Sequence, residues 1–374
     1  MNRRMPRFWQ AMARSAALIL MIGLVQPARA QSPPGPGEAP PVPDLIRPSY
    51  GPNGMTAPPT DGDLLPMPTD RSPEAFGEAA DRATGDLAFA AYQRGLYVTA
   101  FVAATERLED DPDDAAAMTL IGELYRQGLG LPRDLSRARE WYELAASRGD
   151  PNAEFALGEM ILQAVDSGDE NSTEADPALI DEARGHFLRA AQAGHVEAAH
   201  ALALLLLEIA GDNGGEAERA AAEAAEWLQL AAEAEIAAAQ YTLAMLYRAG
   251  LGVAPNEARA TALLHRSARN GHVPAMLEYA VAVFNGVGVA PDEARAAAWL
   301  RRAAWRGDAL ARNRLALLYA TGRGVEEDRV EAAAWHLLAA SQGLDDERLD
   351  GALAGLSQEE RARAEALARD RAWP

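Results

Sequence analysis

The chain has 374 residues, 55 of them acidic and 35 basic, for a formal net charge of −20, and it contains no cysteine. That length admits two or three ordinary domains or one long repeat array. The lack of cysteine excludes a disulfide framework, a thiol nucleophile, Fe–S ligation and the cysteine-based zinc sites, and the acidic surplus with no basic stripe excludes nucleic acid as a partner, because phosphate would be repelled.

The first thirty residues read as a targeting segment. Arg3, Arg4, Arg7 and Arg14 make a positive start, Ala16 to Val25 is an apolar run, and Ala28-Arg29-Ala30 is a small-x-small cleavage pattern. The apolar run is shorter than the roughly 20 residues a transmembrane helix needs. Export into a bacterial periplasm is therefore expected, with membrane contact only through this segment where it stays uncleaved. Removing residues 1–30, which hold five arginines and no acid, leaves 30 basic against 55 acidic residues, a net of −25.

Residues 31–72 are rich in proline and glycine and read as an extended tether, since such a composition cannot bury enough apolar surface to offset its ordering entropy. From Glu74 the composition turns to alanine, leucine, glutamate and arginine at helical spacing. Residues 73–112 read as a degenerate helix pair, with Ala91 to Gly95 as its turn region. Residues 113–344 carry about six repeats, and residues 345–374 read as charged helices that cap the end.

The repeat is carried by motifs at a period near 36: Gly128-Leu129-Gly130-Leu131, Gly250-Leu251-Gly252-Val253, Gly286-Val287-Gly288-Val289 and Gly322-Arg323-Gly324-Val325. A first helix precedes each, such as Leu120 to Tyr125 or Leu243 to Tyr247. A second helix follows, with an aromatic or leucine and then an alanine pair, and ends near glycine. Glycine tolerates positive φ where the first helix must stop, and Asp134, Asn256, Asp292 and Asp328 stand where they would cap the second helix. Trp141, Phe187, Trp227, Leu263, Trp299 and Trp335 are expected to fill the gap between units. The second repeat inserts Asp166 to Pro177, and the third replaces the glycine pair with Gly211, Gly214 and Gly215; longer loops are expected at both.

The pattern Ala-x-x-x-Leu-Gly-x-x-Tyr-x-x-Gly-x-Gly-Val, then Ala-x-x-Trp and Ala-Ala-x-x-Gly, resembles the Sel1-like repeat family over Asp114 to Leu344. The resemblance implies an all-α fold, a right-handed solenoid of stacked antiparallel helix pairs related to tetratricopeptide arrays. It also implies a role as an adaptor in protein complexes, often in bacterial envelopes. Some cysteine-rich secreted members are linked to penicillin binding, which keeps a cell-wall or β-lactam hydrolase as an alternative, beside a structural envelope spacer. Those members pair cysteines in each repeat, and this chain has none.

No catalytic, cofactor or metal constellation emerges from the residues. The six histidines show no His-x-x-x-His spacing, and His195 and His272 occupy equivalent inter-repeat positions where aspartate stands in other copies, as polar turn residues would. There is no Gly-x-Ser-x-Gly elbow or Ser-x-x-Lys box. An enzyme is therefore not expected, no cofactor is implied, and other proteins are the expected partners. Superposing the repeats selects a binding surface instead. First helices in this architecture line the concave side, and their non-core positions are Glu123 and Arg126, Glu159 and Leu162, Leu204 and Leu207, Met245 and Arg248, Val281 and Phe284, and Leu317. The third to fifth repeats place apolar residues there, which reads either as a patch for an apolar partner segment or as burial between neighbouring first helices.

Overall fold

A computed structural model describes residues 87–167, 177–212 and 214–372. The targeting segment, the tether, residues 73–86 and most of the Asp166 to Pro177 insertion fall outside these described residues. Those described form sixteen helices and no strand. A short pair comes first, α1 (Leu87–Gln93) and α2 (Tyr97–Asp110), joined by a turn through Gly95 at φ 77°. Six pairs follow: α3 (Ala115–Gln127) with α4 (Leu135–Ser147), α5 (Pro151–Ser167) with α6 (Pro177–Gln192), α7 (Val196–Asp212) with α8 (Gly214–Glu233), α9 (Ala237–Ala249) with α10 (Glu257–Arg269), α11 (Val273–Asn285) with α12 (Glu293–Trp305), and α13 (Ala309–Thr321) with α14 (Arg329–Ala340). The chain ends in α15 (Glu347–Leu353) and α16 (Gln358–Ala372). Each helix from α1 to α14 packs on its chain neighbours, and α16 folds back onto α14. That succession is the all-α solenoid: no pair buries its apolar stripe alone, and stacking builds a row of buried apolar clusters along the array.

Local chemistry sets the helix ends. Asp134, Asn256, Asp292 and Asp328 each accept a backbone N–H with the side chain and so cap the second helices α4, α10, α12 and α14. Each such cap contributes about 1 kcal/mol. First helices are capped likewise by Asp114 and Asp308, and by the imidazoles of His195 and His272, whose Nδ1 atoms accept from Ala198 and Ala275 N–H at 3.1 and 3.3 Å. The first glycine of each pair ends its helix in the left-handed conformation. The second does something else. A Cβ on Gly288 or Gly324 would lie 2.3 or 2.2 Å from the carbonyl oxygen of Glu257 or Glu293, at the start of the preceding repeat's second helix. The turn thus presses backbone on backbone between repeats, which only glycine allows.

Inside each pair, small and large residues complement one another. In the first two repeats Gly122 and Gly158 lie under the rings of Tyr142 and Phe187, where an added Cβ would meet ring carbons at 2.8 and 2.6 Å. In the third to fifth repeats alanine takes the glycine position (Ala203, Ala244, Ala280) and leucine the ring position (Leu228, Leu264, Leu300). This corrects one expectation: Phe187 stands in register with Tyr142, not with Trp141, and is fully buried within its own pair. The Trp141 register position in that repeat is His186, 2.6 Å from Glu154.

The third repeat departs from expectation too. In place of a long loop, α7 and α8 run to 17 and 20 residues against 13 in the regular repeats, with Gly211 and Gly214 inside helix ends. The alanine- and glutamate-rich run there favours helix strongly enough to carry the extra residues as added turns. In the second repeat α5 likewise reaches Ser167. At the far end Arg371 locks α16 in place. Its guanidinium donates to both carboxylate oxygens of Glu331, at 2.7 and 2.8 Å, and sits 4.7 Å from the ring centroid of Trp335.

Candidate interaction surface

The first helices α3, α5, α7, α9, α11 and α13 stand side by side and make one wall of the array. Direct contacts show the adjacency: Arg248 on α9 meets Glu278 on α11 at 2.7 Å, and the guanidinium of Arg323, in the turn after α13, lies 4.3 Å from the ring centroid of Phe284 on α11. A second set of contacts joins four of the first helices, α3, α5, α9 and α13, to the cap of the helix that begins the next unit. Thr119 Oγ donates to Asp150 at 2.9 Å, Phe155 stacks on His195 at 4.6 Å, Tyr241 packs on His272 at 4.8 Å, and Asn313 Nδ2 donates to Asp346 at 3.1 Å. These four residues share one register position. Where the next cap is aspartate they donate a hydrogen bond, and where it is histidine they offer a ring. The sequence reading missed this ladder, although comparing each first helix with the following cap, repeat by repeat, would have exposed the matched change.

At the N-terminal end the wall is polar. Glu123 accepts from Arg126 Nε and Nη2 at 2.9 and 2.7 Å, from Tyr142 Oη at 2.5 Å, and from Gln127. Burial pushes the Glu123 carboxyl up, but these donors outweigh it and hold the group below its ordinary value. The same pairing raises Arg126, while burial and the Glu123 charge raise the Tyr142 phenol. Glu159 is different. It has no hydrogen-bonded cation, and the protein packed around it raises its carboxyl, with Arg126 pulling the other way and Glu123 adding to the rise.

Towards the middle the wall turns apolar, and its positions divide in two. Leu204 and Met245 are each only 8% exposed, so they leave the accessible surface on which the sequence placed them. Packing of neighbouring helices closes over both, and Met245 lies in one buried cluster with residues of α10 and α11 such as Leu264 and Met276. Leu162, Leu207, Val281, Phe284 and Leu317 are half-buried, each resting on the core with part of its surface open. Arg248 is exposed and tied to Glu278. The accessible set is thus a discontinuous apolar strip, Leu162–Leu207 and then Val281–Phe284–Leu317, interrupted by the Arg248–Glu278 pair and bounded at one end by Glu123, Arg126 and Glu159.

The histidines are absorbed by the scaffold. Burial lowers His200 and His272 to about 4, with His272 adding to the effect on His200, and burial lowers His195 as well. His265 stacks on Tyr279 at 4.7 Å. Among the described residues no group of three His, Asp or Glu side chains has metal-binding geometry.

Six copies of the Sel1 repeat match the chain, at residues 115–150, 151–195, 196–235, 237–272, 273–308 and 309–344. The chain belongs to the Sel1-repeat family. Among solved structures, this Sel1-repeat protein is similar to c5321, a protective antigen of uropathogenic Escherichia coli strains that displays the SLR fold. The identity is 25% and the TM-score 0.60, with 80% of this chain and 63% of that one covered. It is also similar to a Sel1 repeat protein from Oxalobacter formigenes, at 28% identity and TM-score 0.55, over 68% of this chain and 98% of that one. The chain therefore spans less than two thirds of the antigen's length. No curated protein matches it. Sel1 repeats are generally protein–protein interaction modules.

Proposed function

We propose that this Sel1-repeat protein is a non-catalytic scaffold, exported to the periplasm, that holds a partner protein along its first-helix wall and serves an envelope or membrane-signalling complex. One observation carries the reading: half-buried apolar side chains persist along that wall, at Leu162, Leu207, Val281, Phe284 and Leu317, beside an arginine–glutamate pair. An apolar strip on an otherwise strongly acidic chain marks a site for an apolar partner segment. Export is supported by the Arg-rich start, the ten-residue apolar run and the Ala28-Arg29-Ala30 pattern.

The test is an affinity capture of the full chain from an envelope extract after mild in-cell crosslinking, compared with Leu207→Asn/Phe284→Asn and with the surface variant Glu159→Arg/Arg248→Glu. The reading expects a discrete partner that both variants lose while keeping their helical circular dichroism. Retention of that partner by both folded variants would move the site off this wall. Cell fractionation should place the protein, shortened by about thirty residues, in the periplasm; an unshortened cytosolic protein would refute the export reading.

A further inference from the structure

A cleft of about 280 Å³ opens where α14 meets α15 and α16, away from the first-helix wall. Its floor is apolar, made by Ala333, Leu353, Leu356 and Ala364, and Leu337 stands exposed at its edge. Two carboxylates, Asp350 and Glu365, also line it. Between floor and rim sits His336, nine-tenths buried. Its Nε2 lies 2.9 Å from Asp350 Oδ1, and its Nδ1 is enclosed without a hydrogen-bond partner.

His336 is out of place for packing. The five earlier repeats put Tyr142, Phe187, Leu228, Leu264 and Leu300 at this register position, all buried. An imidazole with one orphaned nitrogen is costlier there than leucine. What it does is hold Asp350, which is otherwise 63% exposed, at the mouth of the cleft. Arg361 lines the cleft as well, but it is committed elsewhere: its Nε and Nη2 donate to the carbonyls of Leu356 and Ala354 at 3.1 and 2.9 Å.

We propose that this cleft binds a segment of a partner protein in which an aliphatic side chain is flanked by lysine or arginine. The aliphatic group fills the apolar floor, and the cations pair with Asp350 and Glu365. A purely apolar segment would bury those carboxylates without compensation, which is unfavourable, and a bare cation would leave the floor unfilled. The net charge of −20 draws basic segments toward the chain in the first place.

The test titrates the full chain with three capped tripeptides, Ac-Arg-Leu-Arg-NH2, Ac-Glu-Leu-Glu-NH2 and Ac-Arg-Gly-Arg-NH2. Binding is followed by NMR at the His336 ring proton, assigned by comparison with His336→Leu. The first peptide should bind at least tenfold more tightly than either control and shift the His336 signal. The variant Asp350→Asn/Glu365→Gln, which keeps an acceptor for His336 and alters only rim groups, should weaken that binding tenfold or more with an unchanged melting temperature. The wall variant Leu207→Asn/Phe284→Asn should leave it unchanged, so this result stands or falls separately from the wall. Equal binding of the three peptides, undiminished binding to the rim variant, or an unmoved His336 signal would each overturn the proposal.

Discussion

Acid should loosen the array in its middle repeats before its carboxylates protonate, because of His200 and His272. His200 on α7 has a buried Nε2 with no hydrogen-bond partner. His272 caps α11 through an unprotonated Nδ1 and packs against Tyr241. Burial places both near a pKa of about 4, against about 6.5 in an unfolded chain. The unfolded chain therefore binds more protons between those values. The stability these residues contribute is complete above pH 6.5 and is lost as pH falls toward 4. At pH 5.0 each histidine should cost about 2 kcal/mol relative to pH 7.5, so the pair should cost about 4 kcal/mol. The hydrogen-bonded carboxylates Glu123, Glu154 and Asp114 are held low in the folded protein, and their contribution is lost in a lower window, as pH falls through the ordinary carboxylate range. The assay is urea unfolding at both pH values, followed by hydrogen exchange to locate the loss in α7 to α11. The comparison is His200→Phe/His272→Asn. Phenylalanine already occupies the same register position at Phe155, and asparagine keeps an acceptor for Ala275 N–H without titrating. His195 remains in that variant and sustains a residual loss of the same sign. Wild-type stability equal at pH 5.0 and 7.5, or a double variant that loses as much as wild type, would refute the reasoning.

Two further substitutions test the packing logic. Gly288→Ala should cost upward of about 2 kcal/mol, because its Cβ would strike the Glu257 carbonyl at a positive φ. Gly149→Ala, also at positive φ but with nothing within 4 Å, should cost only about 1 kcal/mol, and equal urea midpoints would contradict the close-approach account. Gly158→Ala should cost about 1–3 kcal/mol by overpacking against Phe187, and adding Phe187→Leu should return most of it, since Ala and Leu are the residues at these positions in later repeats. A double-mutant cycle with no coupling would mean the two sites do not form one unit.

Much of the architecture was legible because it depends on local chemistry repeated in four of the six units. The Gly-x-Gly turns and the Asp or Asn before each second helix act on their own few residues, and the structure puts positive φ and side-chain caps at those points. His195 and His272 were legible as polar turn residues for the same reason, and their role as caps follows from standing where Asp114 and Asp308 stand elsewhere. The third repeat was harder. Its glycines signal a loop, but the surrounding alanine-rich run extends the helices through them, a competition that residue identity alone does not decide.

The sequence by itself determined the repeat, its period, the helix ends of the four regular repeats and the family, since each rests on interactions within a few residues. Which wall residues stay open was decided only in three dimensions. Leu204 and Leu207 are the same residue type one turn apart on α7, yet one is buried and the other half-open. Exposure is set by how neighbouring helices pack, and that packing is made by pairs far apart in the chain, such as Arg248 with Glu278, Phe284 with Arg323 and Phe155 with His195. Likewise, His336 and Asp350 become a cleft only because α16 folds back onto α14, where Arg371 holds it against Glu331 and Trp335.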